Sequence, residues 1–136
     1  MQITKRVLIV EDDDFTRFMM RSIITTLGID VDLAQDGAEG CQKISENPEE
    51  YGLVLMDIHM PGVGGLEATN RIRAHPSDPP RHVPIIAVTN DTRYHDDEYV
   101  ERLGMNGYAT KPITAGTLLG YVGNFCASET TRKSLS

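Results

Sequence analysis

Leu53-Val54-Leu55-Met56-Asp57 is the stretch that decides the fold. Four large apolar residues run without a break and stop at a carboxylate. Gly52 precedes the run and Pro61-Gly62 follows closely, so it reads as a strand buried on both faces of a parallel sheet. Open α/β sheets bind their ligands outside the carboxyl ends of the strands, and Asp57 stands at that end. An acid there is either an unpaired liability or a working group.

Toward the N-terminus, Val7-Leu8-Ile9-Val10 is a second unbroken run, and it ends in Glu11-Asp12-Asp13-Asp14. Asp13 is placed to cap a helix whose Phe15, Phe18, Met19, Ile23 and Leu27 have one-face spacing, closed by Gly28. Ile29, Val31 and Leu33 alternate with Asp30 and Asp32, which predicts a strand with one more exposed face. Asp36 and Glu39 form a capping-box pattern at the start of a helix that turns Ala38, Cys41 and Ile44 inward and breaks at Asn47-Pro48.

Beyond Asp57, the Gly-rich loop 60–65 leads to a helix over 66–74 with Leu66, Thr69 and Ile72 inward. The Pro-rich surface loop 75–82 is too short to be a domain linker. Pro84-Ile85-Ile86-Ala87-Val88-Thr89 is the fourth strand, and Asp91 is placed to cap a heavily charged helix over 92–103. Such a helix has few apolar anchors and is free to shift. Tyr108-Ala109-Thr110 is a short fifth strand ending at Lys111-Pro112, and Thr114 caps a last helix carrying Leu118, Leu119, Val122 and Phe125. Residues 1–126 are expected to form one domain and 127–136, small and polar, a disordered tail.

Five strands alternating with five helices give an α/β fold, a parallel sheet with helices on both faces. The expected strand order is the flavodoxin-like 2-1-3-4-5 usual for five such units, a three-layer sandwich. A length of 136 residues suits a single domain, and 40% hydrophobic with 24% charged residues is ordinary for a soluble one. The formal net charge of −7 disfavours direct binding to nucleic acid or anionic membrane and suits a carboxylate cluster that holds a cation. Cys41 and Cys126 have no metal-ligand spacing and form no disulfide framework, and neither a signal peptide nor a membrane-length apolar run is evident; a cytoplasmic location is expected.

In the expected order, the carboxyl ends of strands 1, 3, 4 and 5 converge, bringing together Glu11, Asp12, Asp57, Thr89 and Lys111. Three packed carboxylates raise one another's pKa unless a cation intervenes. Mg²⁺ suits such a site, since it takes oxygen ligands and keeps several waters. A Mg²⁺ ion, a hydroxyl and an ammonium together stabilise a phosphoryl group in flight, and Asp57 supplies a carboxylate nucleophile for an aspartyl phosphate.

These residues also carry a resemblance. Val10-Glu11-Asp12, Leu55-Met56-Asp57-Ile58-His59-Met60-Pro61-Gly62, Ile85-Ile86-Ala87-Val88-Thr89 and Gly107-Tyr108-Ala109-Thr110-Lys111-Pro112 resemble, in order and spacing, the signature of response-regulator receiver domains, as in the chemotaxis-type single-domain receivers. The resemblance covers about residues 6–125. It implies that Asp57 is the phosphoacceptor, that Glu11, Asp12, Asp57 and the His59 backbone carbonyl hold Mg²⁺, and that Lys111 pairs with the phosphoryl oxygens. It further implies that Thr89 is the switch hydroxyl, Tyr108 the aromatic that turns inward on activation, and Lys111-Pro112 a cis peptide. The implied partners are a sensor histidine kinase or a histidine phosphotransfer protein, and a downstream protein or second copy bound through the α4-β5-α5 face. Asn90 and Gly64 depart from the family, where a small residue and an aspartate are usual, and His59 and Asp91 match positions that tune phosphoryl lifetime.

Blander readings stand beside these. Asp13, Asp36 and Asp91 are explained as helix caps, His75 and His82 as solvated loop residues, and the acidic helix as a solvated face. Asp12-Asp13-Asp14 lacks the glycine and terminal glutamate of a calcium loop. A phosphatase of the same architecture usually has an aspartate two residues after its nucleophile, where His59 stands here. A flavin or nucleotide carrier would need a Gly-rich loop after strand 1, where this chain is acidic. A receiver module of a longer kinase or regulator fits the same residues.

Overall fold

The computed structural model describes residues 5–126. The chain runs β1 (Arg6–Val10), α1 (Asp14–Thr25), β2 (Val31–Ala34), α2 (Gly37–Glu46), β3 (Tyr51–Asp57), α3 (Gly65–Arg73), β4 (Ile85–Thr89), a 3-10 turn (Thr92–Tyr94), α4 (Asp97–Arg102), β5 (Gly107–Thr110) and α5 (Ala115–Phe125). The strands are parallel, as the alternation of elements predicts, and follow the expected flavodoxin-like order β2-β1-β3-β4-β5. The expected tail, 127–136, lies outside the described residues.

The unbroken apolar runs follow from burial on both faces. Side chains alternate across a strand, so Val7, Ile9, Leu53 and Leu55 enter one core with Met20, Ile24, Leu118 and Val122. Leu8, Val10, Val54 and Met56 enter the other, with Ile44, Ala68, Ile72 and Val100. Each such Leu or Ile contributes roughly 1.5–3 kcal/mol by leaving water. The register then fixes the site. Val10 pairs with Met56, Asp57 with Val88, and Thr89 with Thr110. One residue further along, Glu11 is abreast of Asp57, and Lys111 follows directly on Thr110.

Three local expectations are corrected. The helix expected over 92–103 is two pieces. Asp91 accepts from Arg93 N–H at 3.1 Å and caps the 3-10 turn; Asp96 accepts from Tyr99 N–H at 3.0 Å and starts α4 anew. Side chains that bond the backbone locally compete with a continuous helix, and between them His95 (φ −88°, ψ 55°) is not helical. In α1 the buried residues are Arg17, Met20 and Ile24, while Phe15 and Phe18 are 77% and 45% exposed. Arg17 turns inward because its guanidinium has a buried acceptor, which rotates the helix away from the phenylalanines. In α2, Ala38 faces solvent and Gly37, Gly40 and Ile44 are buried; a Cβ on Gly40 would lie 2.9 Å from Val10 Cγ2, so the helix sits close on β1. Phe125, at the end of α5, is likewise 36% exposed.

The orientation of α1 has a direct consequence for stability. Phe15→Ser should change the unfolding free energy by less than about 0.5 kcal/mol. Met20→Ala, which empties a packed position, should cost about 2–5 kcal/mol. Urea denaturation of both variants checks this, and the reverse order would restore the phenylalanine-inward helix.

Candidate functional site

Asp57 closes β3 at 5% exposure, with Glu11 beside it at 2%. Lys111, after β5, places its Nζ 2.6 Å from Glu11 Oε1 and 3.3 Å from Asp57 Oδ2. The His59 N–H donates to Asp57 Oδ1 at 3.3 Å, and the Asp13 N–H donates to Glu11 Oε2 at 3.1 Å. Gly65 at the start of α3 lies so near that a Cβ there would sit 2.2 Å from the Asp57 carbonyl oxygen. Gly64, the N-cap of α3, offers no side chain to cap it. The Lys111–Pro112 peptide is cis, as expected.

One ammonium is shared between two buried carboxylates, and a third stands beside them. Glu11, Asp12 and Asp57 each present an oxygen within 4.8 Å of the others. Burial pushes the Asp57 carboxyl up to about 7; the hydrogen bond and charge of Glu11 act in the same direction, and Lys111 opposes them. Burial works against the Lys111 ammonium, but Glu11 and Asp57 outweigh it and raise its pKa. The donor set is all oxygen, negatively charged and, at exposed Asp12, open to water, which is the chemistry that Mg²⁺ requires. The structure thus brings Glu11, Asp12, Asp57 and Lys111 together.

The other residues singled out in the sequence lie around this centre. Thr89 is 2% exposed at the end of β4, and its hydroxyl accepts from the Asp91 N–H at 3.1 Å. Tyr108 is half-buried on β5 and stacks on His95 rather than facing the carboxylates, with ring centroids 5.3 Å apart at 14°. Asp91 does more than cap. Its carboxylate meets His59 Nε2 at 2.8 Å and the Arg93 guanidinium at 2.5 Å, tying the loop after β3 to the loop after β4. Arg93 first, and then His59, hold the Asp91 carboxyl well below the usual carboxylate range. His75 and His82 stay in their loop, His82 paired with Asp78 at 2.8 Å.

Sequence reasoning missed Arg17 and His95. Arg17, 3% exposed, donates from Nη1 to the Glu11 carbonyl at 2.8 Å and pairs with Asp14. Its position three residues after Asp14, one turn into a helix that follows an acidic loop, was the available signal. His95 carried none, because it stood inside what read as a solvated helix.

The family model of the response regulator receiver domain matches residues 7–122. The chain belongs to that family. This receiver is 32% identical over 126 residues to the polar-differentiation response regulator DivK of Brucella ovis, covering 90% of this chain and 99% of DivK. Among solved structures, the receiver domain of the Pseudomonas aeruginosa sensor histidine kinase PA1611, described with a magnesium ion in its active-site cleft, superposes with a TM-score of 0.75 at 31% identity, covering 90% of this chain and 97% of that one. A chain of the Saccharomyces cerevisiae co-crystal of the histidine phosphotransfer protein Ypd1 with the Ssk1 receiver domain gives 0.77 at 26% identity, covering 92% and 90%. The chain spans only 5–14% of the length of several long curated relatives that it matches. It is a receiver domain of phosphorelay signalling, and its acidic cluster is of the kind that binds Mg²⁺ in such receivers. Among the described residues, no helix is long and apolar enough to cross a membrane.

The charge balance predicts how the receiver responds to the metal. In the metal-free protein, the raised Asp57 pKa means that the native state holds a proton more tightly than the unfolded chain. The stability this contributes is present below the unfolded carboxylate value, about 3.9, and is lost as pH rises through about 7. Mg²⁺ should therefore raise the Tm, and more at about pH 8 than at about pH 5.5, where protons compete for the ligands. Asp12→Ala should abolish the increment. Thermal melts with and without Mg²⁺ check this; equal increments in wild type and variant would contradict it.

Proposed function

We propose that Asp57 is the phosphoacceptor of this receiver, taking a phosphoryl group from the phosphohistidine of a sensor histidine kinase or a histidine phosphotransfer protein. The observation that carries this reading is the buried Asp57 carboxylate with Lys111 Nζ at 3.3 Å and the Glu11 and Asp12 oxygens within 4.8 Å. In the transfer, an Asp57 carboxylate oxygen forms a bond to phosphorus as the phosphorus–nitrogen bond of the donor breaks. The electron pair of that bond returns to the departing imidazole.

Glu11, Asp12, Asp57 and the His59 backbone carbonyl would hold Mg²⁺. Bound there, Mg²⁺ would offset the negative charge gathered on the carboxylates and phosphoryl oxygens. Lys111, now shared between Glu11 and Asp57, would follow the charge onto a phosphoryl oxygen. Burial of Asp57 and Glu11 keeps these interactions in a low-dielectric setting, where each counts for more than in water. By these residues the chain assists its own phosphorylation and dephosphorylation, acting as a signalling phosphoacceptor rather than an enzyme with turnover.

The output follows from Thr89. Its hydroxyl, which accepts from the Asp91 N–H, keeps its own proton to donate and would reach a phosphoryl oxygen by moving toward Asp57. That rearrangement reaches Tyr108 and the face built by α4, β5 and α5, where a downstream protein or a second copy would dock. α4 suits such a shift, since it is six residues long with Val100 as its buried residue. A net charge of −7 argues against nucleic acid or anionic membrane as the direct partner. We place the reaction in the cytoplasm, a setting in which the free thiols of Cys41 and Cys126 persist.

Asp57→Asn should fold and yet take no hydroxylamine-sensitive phosphate from acetyl phosphate with Mg²⁺. Intact-mass analysis decides the matter: undiminished labelling of the variant would remove Asp57 as the acceptor.

A further inference from the structure

His95 touches both members of the switch pair. It lies between the 3-10 turn and α4, half-buried and non-helical. Its Nε2 is 2.9 Å from the Thr89 carbonyl oxygen. A carbonyl only accepts, so Nε2 carries the proton and donates. The other side of the contact is aromatic: the imidazole lies 5.3 Å from the Tyr108 ring at an interplanar angle of 14°. One side chain thus grips the backbone of Thr89 and the ring of Tyr108.

The surrounding bonds hold this arrangement firmly. The Thr89 hydroxyl accepts from the Asp91 N–H at 3.1 Å, while the Thr89 carbonyl accepts from His95 at 2.9 Å and from the Lys111 N–H at 3.3 Å. The Tyr108 backbone is fixed independently, its carbonyl accepting from the Tyr121 hydroxyl at 2.9 Å, so the ring is the part left to move. Tyr94, the last residue of the 3-10 turn, is buried between His59 at 5.9 Å and Tyr99 at 5.8 Å. His95 therefore follows directly on a residue that is itself held by packing.

We infer that His95 is a positioning residue that couples Thr89 to Tyr108, holding both in the resting state through its bond to the Thr89 carbonyl and its stack on the Tyr108 ring. The inference rests on the reading of Thr89 and Tyr108 as the switch residues. It explains why a histidine occupies a non-helical position between two helical pieces: a continuous helix would not leave its ring against both. For the switch to operate, a phosphoryl group on Asp57 must pull Thr89 against this clasp. Removing the clasp lowers that cost, and the apparent affinity for a phosphoryl mimic rises with the fraction already in the competent state.

The test uses the full chain with saturating Mg²⁺ and beryllofluoride as the phosphoryl mimic. His95→Ala should bind it roughly two- to tenfold more tightly, the range set by loss of one aromatic pair. Its Mg²⁺ affinity should not change, and the Tyr108 ring resonances should move before any mimic is added. His95→Phe keeps a ring for Tyr108 and loses the bond to Thr89. It should tighten binding by a smaller factor, and it carries the test if the alanine variant fails to fold. Binding by wild type with no tightening in either variant overturns the coupling and leaves Asp57 as acceptor. A wild type that binds no beryllofluoride overturns the phosphoacceptor reading, and the coupling with it.

Discussion

The Lys111 ammonium, 2.6 Å from Glu11 and 3.3 Å from Asp57, is the interaction on which the rest of the site depends. Without it, two buried carboxylates would face each other at the end of the central strands with no opposite charge beside them. With it, one ammonium still faces three carboxylates, since Asp12 adds a third. The residual imbalance is what makes the site receptive to a cation. Burial first, and then the Glu11 carboxylate, make Asp57 hold its proton to about 7 in the metal-free protein.

The sheet was legible because both faces are covered. Burial on two sides demands unbroken apolar runs, and β1 and β3 supply them as Val7–Val10 and Leu53–Met56. The acids at their ends were legible for the same reason, since a carboxylate next to such a run needs an explanation. The orientation of α1 was not. Met19, Ile23 and Leu27 of the expected stripe do pack on the core, but Phe15 and Phe18 do not, and the inward turn of Arg17 has as its partner a backbone carbonyl that leaves no trace in the sequence. The break at His95 was hidden likewise: acid-rich residues 91–97 serve equally well as a charged helix or as two successive caps, and only the tertiary contacts of Tyr94 and His95 decide between them.

The placement of Glu11, Asp12, Asp57 and Lys111 at one crevice followed from strand order alone. The connections between loops did not. His59 and Asp91, 32 positions apart, meet at 2.8 Å, and Arg93 closes on the same carboxylate. Together with His95 they join the rim of the crevice to the start of α4. The physical picture is a rigid sheet carrying the charges and a short, side-chain-capped segment carrying the movement. Such a division suits a switch, because packed β-strands resist deformation while a six-residue helix has little to lose.

The central claim is that Asp57 is a carboxyl destabilised as an anion by burial and by Glu11, and restored by a cation. The most direct measurement is a ¹³C NMR titration of the Asp57 side-chain carboxyl in the full chain, with and without Mg²⁺. The account predicts a midpoint of about 7 in the metal-free protein and a clear downward shift with Mg²⁺. A midpoint in the ordinary range, about 3.9, unmoved by the metal, would contradict it.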